Sequence, residues 1–364
     1  MRKSPIRVLV IDDSALMRKM ITQMLARDIS IEVVGTAMDG TFGLKKIEEL
    51  RPDVVTLDLE MPQMDGIETL KHIMKRGPTP VIVVSSHSTK GATETFKALQ
   101  WGAFDFVAKP QENAGMTMET IADELVAKVK AADASRKSKS AVAPVVSDRL
   151  QDARKRPRPP ASARTLPSKI VAIGISTGGP NALLYLLSQL PADFPGTILI
   201  VQHMPQGFTQ MFADRLADSC AIEVKEAQSG DMLLAGRALI CPGNRHMRVR
   251  RMPLGDVVVL SDDDRVNGHR PSADILFRSV AQEFGSKTLA LIMTGMGEDG
   301  AEGIGAVKES GGLAVAQDEA SSVVFGMPKV AIERGHVNRV VALDLLPNLL
   351  QVHCAPVRAS SLHS

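Results

Sequence analysis

Ser176, His203 and Asp299 are residue types that together could activate an alcohol for attack on a carbonyl. A serine hydroxyl is a weak nucleophile at neutral pH and needs a base beside it. An imidazole can take the proton, and a carboxylate can fix the imidazole tautomer and stabilise the imidazolium that forms. Ser176 lies in "GISTGGP", directly after the apolar run "IVAIGI". Gly174, Gly178 and Gly179 permit a sharp bend, and Pro180 falls near the first turn of the helix expected next. Backbone N–H groups at a helix start can stabilise negative charge on oxygen. His203 ends "TILIVQH", and Asp299 follows "KTLALIMTG" in a glycine-lined turn, with Glu298 read as pointing elsewhere. His72 on a helix of the first half, and His353 and His363 near the C-terminus, are poorer candidates for the base. Taken singly, each residue has a structural reading: a polar turn residue, a strand-end cap, a helix N-cap. The three together, each just past an apolar run, could meet at one edge of a sheet.

The first half carries a second constellation. Asp12 and Asp13 follow "IRVLVI", and Asp58 ends "DVVTLD". Loops at the carboxyl ends of parallel strands converge on one edge. Three carboxylates gathered there repel one another unless a cation sits between them, and hard oxygen ligands with open positions suit Mg²⁺. Ser85 ends the next run and Lys109 the fifth, so a hydroxyl and an ammonium could contact a phosphoryl group on an acceptor carboxylate. Any one of these five is an ordinary cap or loop residue; all five at strand ends, in this order, point to phosphoryl chemistry.

Two competing patterns weigh less. The "GISTG" stretch fits the nucleophile-elbow pattern G-x-S-x-G, but the order Ser…His…Asp is not the Ser…Asp/Glu…His of the α/β-hydrolases. "GMGEDG" fits the dinucleotide pattern G-x-G-x-x-G, with Asp318 at the usual distance beyond it. There, however, an acid precedes the third glycine and would face the pyrophosphate that the helix start should attract.

The elements that must position these residues alternate. Short β-branched runs are each succeeded by helical spacing from Ile6 to about Lys130, and again from Lys169. Leu16, Met20 and Met24, with Met17, Ile21 and Leu25, form one apolar stripe. The expected fold is α/β: two doubly wound parallel-sheet domains, flavodoxin-like and then Rossmann-like, the second carrying an inserted β-hairpin from "HMRVRR" and "DVVVLSD". The expected boundaries are 1–131 and 169–350, with a flexible basic linker at 132–168, rich in Ser, Ala, Pro, Lys and Arg, and a tail at 351–364. Helices are expected near Asn181–Gln189, Asp274–Glu283 and Ala301–Glu309.

Composition narrows the function. The net charge is +2, and there is one Trp and one Tyr, which gives little support to nucleic-acid binding by charge or base stacking. No helix-turn-helix pattern or basic recognition helix comes after the linker. Cys220, Cys241 and Cys354 are widely spaced and offer no disulfide or zinc framework, which fits a cytoplasmic setting. No run approaches the roughly 20 apolar residues of a membrane span. A non-enzymatic binding module behind the first domain and a nucleotide enzyme using "GMGEDG" are the alternative classes.

The segment from Ile6 to Ala131 resembles a response-regulator receiver domain, through its paired acids, the acceptor Asp before "LEMPQMDG", the Ser/Thr and the Lys-Pro. The resemblance implies that Asp58 accepts a phosphoryl group from a histidine kinase. It also implies that Asp12 and Asp13 hold Mg²⁺ with Asp58 and the Glu60 carbonyl, and that Ser85 and Lys109 sense the phosphoryl group. Phe106 stands where that family has a switching aromatic, usually Tyr. In the second half, "GISTGGP", "VQHMPQGFT", "ICPGNRHM", "HRPSADILF", "TGMGEDGA" and "QDEASSVVFGMP" resemble the catalytic domain of the chemotaxis protein-glutamate methylesterases, the CheB family. This implies a triad of Ser176, His203 and Asp299, with the Met296 and Thr177 amides as oxyanion donors and no cofactor for the ester chemistry. It implies methylated chemoreceptors as substrate, deamidation of receptor glutamines as a second activity, and a chemotaxis kinase as phosphodonor. Unphosphorylated, the first domain is expected to restrain the second by packing over its catalytic edge.

Overall fold

The structure is a computed structural model that describes residues 4–77, 79–86, 88–110, 118–138 and 165–355. The chain divides into two compact units, Met1–Pro144 and Val145–Ser364. Most of the expected linker, and the tail from 356, lie outside the described residues.

The strands of the first unit are β1 (Ile6–Ile11), β2 (Ile31–Ala37), β3 (Val54–Asp58), β4 (Val81–Ser85) and β5 (Asp105–Ala108). They form one parallel sheet in the order β2-β1-β3-β4-β5, the flavodoxin-like order. Five helices alternate with them: α1 (Ala15–Leu25), α2 (Gly40–Leu50), α3 (Gly66–Arg76), α4 (Thr89–Gln100) and α5 (Met118–Ser138). Ser14 caps α1 by accepting from the Met17 N–H at 3.3 Å. Of the expected apolar stripe, Ile21, Met24 and Leu25 are buried against Val8, Val10, Leu125 and Val129. Leu16, in the first turn of α1, instead faces solvent at 65% exposure. Helix α5 runs to Ser138, past the boundary expected at 131. Its last turns are tied down by Arg136, which pairs with Asp53 at 2.6 Å and Asp133 at 3.1 Å.

The sheet strands of the second unit are β6 (Ile170–Ile175), β7 (Thr197–Gln202), β8 (Glu223–Glu226), β9 (Arg237–Ile240), β12 (Thr288–Ile292), β13 (Leu313–Gln317) and β14 (Arg339–Val341). Their order is β14-β13-β12-β6-β7-β9-β8, every neighbouring pair parallel. The expected hairpin forms a separate antiparallel pair, β10 (His246–Arg250) with β11 (Val257–Ser261). Helices α6 (Gly179–Ser188), α7 (Phe208–Ser219), α8 (Ala273–Phe284), α9 (Ala301–Glu309), α10 (Met327–Glu333) and α11 (Leu346–Cys354) surround the sheet. The last helix continues beyond 350, where a tail was expected; Cys354 is buried and its carbonyl accepts from the Ser168 hydroxyl at 2.6 Å.

Two features bring α8 to the functional edge. Phe277 on α8 is fully buried, which at typical burial energies contributes about 2 kcal/mol. A Cβ on Gly174 of β6 would fall 2.6 Å from the Ala273 Cβ and 3.0 Å from the Phe277 ring. Glycine at 174 therefore lets the N-terminus of α8 lie against the end of β6. Strand order reverses around β6: the chain goes outward through β7, then returns to place β12 on the other side. Ligand crevices of open α/β sheets lie at such switch points.

Candidate active site and phosphoacceptor site

Ser176 comes just after β6 and His203 just after the adjacent β7. The register pairs Ile175 with Gln202, and the His203 N–H donates to the Ile175 carbonyl at 3.1 Å. Neighbouring strands are about 4.8 Å apart, so the two residues leave the sheet side by side. Gln202, buried between them, ties the turns together: its Nε2 donates to the Ser176 carbonyl at 3.0 Å and to the His203 carbonyl at 3.1 Å. The Ser176 N–H donates across to the Thr294 carbonyl after β12 at 3.0 Å. Gly178, with φ 77°, then turns the chain into α6, as the glycine spacing predicts.

Asp299 enters from the other side of the switch point. His203 donates from Nε2 to the Asp299 Oδ2 at 2.8 Å. The carboxylate is fully buried at the N-terminus of α8. Its Oδ2 also accepts from the Ala273 N–H at 2.7 Å, and its Oδ1 accepts from the Ser272 hydroxyl at 2.6 Å. Burial alone would raise this carboxyl, but the hydrogen bond and charge of His203, with the Ser272 and Ala273 donors, hold it down at about 2. It is therefore ionised at neutral pH. Because an ionised carboxylate only accepts, Nε2 carries a proton, and in the neutral ring the lone pair falls on Nδ1. Nδ1 is buried and has no hydrogen-bond partner among the described residues, and the Ser176 hydroxyl has none there either. A base with a free lone pair and a hydroxyl with a free proton thus sit at the ends of adjacent strands. Such hydrogen bonds commonly tighten only when substrate is bound.

The remaining side of Ser176 faces the loop after β12. A Cβ on Gly295 would fall 2.7 Å from the Ser176 Cβ and 2.4 Å from the Met327 Sδ, so only glycine allows this approach. The amides of Thr177 and Met296 flank it, and neither donates to a backbone carbonyl among the described residues. The Thr177 hydroxyl is buried and unpartnered, while its carbonyl accepts from the Thr294 hydroxyl at 2.9 Å. Glu298 turns away to Arg334 at 2.5 Å. "GMGEDG" does open a helix, but the acid before its third glycine is taken up by the fold. The Asp299 carboxylate is already engaged with α8 and His203.

Several residues of this site went unassigned from the sequence. Ser272 is itself held by the ring of buried His246: its N–H donates to Nδ1 at 3.3 Å, and His246 Nε2 bonds the Asp264 carbonyl at 2.9 Å. Burial pushes the His246 ring below its ordinary pKa, so it stays neutral in this role. His269 lies flat on His203, ring centroids 3.9 Å apart and planes at 3°. The "HRPSADILF" and "ICPGNRHM" stretches hold these residues, yet their spacing alone gave no sign that they converge on Asp299.

In the first unit, Asp12, Asp13 and Asp58 offer oxygen atoms that all lie within 4.8 Å of one another. Asp12 and Asp58 are buried and Asp13 is exposed. Lys109 Nζ donates to the Asp58 Oδ2 at 2.7 Å and lies 3.2 Å from the Asp12 Oδ2. Burial pushes both buried carboxyls up against the pull of Lys109, with a smaller push from a neighbouring carboxylate, Asp13 on Asp12 and Asp12 on Asp58. Lys109 would itself be lowered by burial, but Asp58 and Asp12 outweigh this and raise it. The Glu60 N–H donates to the Asp58 Oδ1 at 3.2 Å. Gly66, in "MDG", permits close backbone packing, since a Cβ there would meet the Asp58 carbonyl oxygen at 2.2 Å.

Two of the expected sensing residues are turned elsewhere. The Ser85 hydroxyl donates toward the Gly91 carbonyl at 3.1 Å and accepts from the Thr95 hydroxyl at 2.6 Å, with no hydrogen bond to Asp58 or Lys109. Phe106 is buried, edge-on to Phe96 at 6.4 Å, with Lys128 Nζ 5.3 Å from its ring centroid. The donor set fits Mg²⁺: three carboxylates whose oxygens gather at one edge, two of them buried and raised and the third exposed.

Comparison with known proteins shows the same division. The family model described as CheB methylesterase matches residues 171–350, and the model for the response regulator receiver domain matches residues 8–120. The chain is 77% identical over 361 residues to a protein of Koribacter versatilis named protein-glutamate methylesterase/protein-glutamine glutaminase 2, covering 99% of each. It is 44% identical over 342 residues to a protein of Pyrococcus horikoshii named protein-glutamate methylesterase/protein-glutamine glutaminase, covering 94% of this chain and 92% of the other. The crystal structure of the Thermotoga maritima CheB methylesterase catalytic domain matches with 41% identity and a TM-score of 0.50, covering 50% of this chain and 97% of that one. Among the described residues, no helix is long and apolar enough to cross a membrane.

Proposed function

The chain belongs to the family of protein-glutamate methylesterases/protein-glutamine glutaminases, the CheB methylesterases, and carries a response regulator receiver domain; on that premise we propose that it hydrolyses glutamate methyl esters through Ser176, His203 and Asp299. The observation that carries this reading is the polarity of His203. Its Nε2 proton is committed to the buried Asp299 carboxylate, which leaves the Nδ1 lone pair as base for Ser176.

Ser176 Oγ attacks the ester carbonyl carbon while His203 Nδ1 takes its proton. The oxyanion forms against the Met296 and Thr177 amides; one such donor is worth about 3 kcal/mol of transition-state stabilisation. The C–O bond to methoxide breaks, Nδ1 returns the proton, and methanol leaves. Water then attacks the acyl-serine by the same route, releasing a glutamate carboxylate and restoring Ser176. A primary amide enters the same cycle and releases ammonia, so receptor glutamines are the second substrate. The substrate we propose is the methylated cytoplasmic helices of chemoreceptors, met in the cytoplasm without insertion into the membrane.

Asp58 is the phosphoacceptor in this reading. One carboxylate oxygen attacks the phosphorus of a phosphohistidine on a chemotaxis kinase, and the imidazole leaves. Asp12, Asp13, Asp58 and the Glu60 carbonyl would hold Mg²⁺, which when bound offsets the charge of the phosphoryl oxygens. Lys109 already lies on Asp58 and is placed to pair with the new charge, about −1.5 to −2. Ser85 and Phe106 would turn toward the phosphorylated edge and couple it to hydrolysis. An active-site fluorophosphonate tests the esterase reading directly. Mass spectrometry should find the adduct on Ser176, and absence of labelling in the folded, phosphorylated protein contradicts it.

A further inference from the structure

His269 has no part in the steps above, yet its ring lies directly against that of the proposed base. It closes a two-residue turn in which Val266 and His269 exchange both backbone hydrogen bonds, at 3.0 and 2.9 Å. The two central residues, Asn267 and Gly268, have φ of 52° and 78°, the signature of a type I′ turn. The turn is anchored on both flanks. Asn267 Nδ2 donates to the Asp274 Oδ2 at 2.8 Å, and the Arg270 guanidinium donates to the Asn244 Oδ1 at 2.8 Å and the Asp262 carbonyl at 2.8 Å. From this fixed base the His269 ring lies parallel to His203, 3.9 Å between centroids.

The contact supplies a constraint that the hydrogen bond to Asp299 does not. That bond, from Nε2 on the far side of the ring from Cβ, holds the tip of His203 but restrains rotation about the Cβ–Cγ bond only weakly. A flat ring against its face removes that rotation and keeps water from that side. We infer that His269 is a positioning residue for the hydrolysis, stacking on His203 so that Nδ1 stays presented to Ser176. The inference rests on the Ser176–His203–Asp299 reading. Burial, and then the charge of His203, hold the His269 ring down at about 3, so it stays neutral at working pH. A neutral aromatic face also attracts the imidazolium formed during attack. No hydrogen bond is made by the His269 ring itself among the described residues, so its contribution is the flat face.

The test uses the full chain as His269→Ala, His269→Phe and His203→Ala. It measures kcat and KM for methanol release from methylated receptor, and the rate at which a fluorophosphonate labels Ser176. A loosened base should lower kcat and labelling of His269→Ala together by ~30-fold, within the range a small misplacement costs, with KM unchanged. His269→Phe restores a neutral flat ring and should return both to within about threefold of wild type. Wild-type kcat and labelling in His269→Ala overturn the inference, as does a rise in KM without loss of kcat. If the alanine variant fails to fold, the phenylalanine variant decides, and a loss beyond about tenfold there overturns the inference. His203→Ala separates the two levels: if it still labels and turns over, the triad reading itself falls. If it is dead while His269→Ala is not impaired, only the stacking inference falls.

Discussion

Asp299→Asn removes one charge and keeps the shape, and the structure dictates which way the amide must sit. The Oδ2 position accepts from both the Ala273 N–H at 2.7 Å and His203 Nε2 at 2.8 Å. An NH₂ placed there would face a buried N–H donor. The Asn oxygen therefore takes that position, and its NH₂ faces the Ser272 hydroxyl, which can accept, while the Asp274 N–H on that side lies farther off at 3.5 Å. His203 then keeps its proton on Nε2 and its lone pair on Nδ1. The variant loses the charge that stabilises the imidazolium but not the tautomer. Unit charges about 4 Å apart at an effective dielectric of about 20 interact by about 4 kcal/mol, or about 10³ in rate. The same substitution in a triad where it traps the wrong tautomer costs about 10⁴. The assay is kcat for methanol release from methylated receptor, with nitrogen NMR of the His203 ring. The expected result is a fall of about 10³ with Nδ1 unprotonated. A proton found on Nδ1, or a loss below about tenfold, refutes the reasoning. Stability carries a second signature. Asp299 sits at about 2, below its ordinary 3.8, so its ionised form stabilises the fold. At about 1.36 kcal/mol per pKa unit this is about 2 kcal/mol, present above the ordinary carboxyl value and fading as pH falls through the folded one. The stability gap between wild type and Asp299→Asn should close over that window.

Asp58→Asn removes the acceptor oxygen and should leave hydrolysis unchanged when a small-molecule phosphodonor is added, whereas the wild type accelerates; a response in the variant places the gate elsewhere. Mg²⁺ should raise the thermal midpoint of the first unit, because it relieves two buried carboxyls that burial and like charge push up. Calorimetry of the full chain with Mg²⁺ and with a chelator checks this. Equal midpoints in both would contradict the assignment of Asp12, Asp13 and Asp58 as ligands.

Much of this site could be read from sequence because α/β folds place chemistry by a simple rule. Apolar β-branched runs mark parallel strands, and the residues just past each strand land on one edge. Asp12, Asp58, Lys109, Ser176 and His203 come at the end of such runs or directly after them, and Asp299 comes in the loop after β12. The unread part depends on side-chain direction and on contacts between distant segments. Nothing local says that His203 turns Nε2 toward Asp299, or that the Ser85 hydroxyl faces α4. Asn267-Gly268 is a recognisable turn signal, but that the turn lays His269 on His203 is a tertiary fact. Ser272 and the start of α8 reach Asp299 where Gly174 lets Ala273 and Phe277 close on β6, and His246 acts on the carboxylate through Ser272. The helix ends at 138 and 354 carry no local signal for a related reason. Their composition is polar or unpatterned, and they are held by long-range contacts, Arg136 to Asp53 and Ser168 to the Cys354 carbonyl.

The central claim is that the Ser176 hydroxyl attacks a glutamate methyl ester. Receptor carrying labelled methyl esters, incubated with the phosphorylated full-length protein, should release labelled methanol, and Ser176→Ala should release none above the uncatalysed rate while remaining folded. Undiminished release by Ser176→Ala would contradict the account.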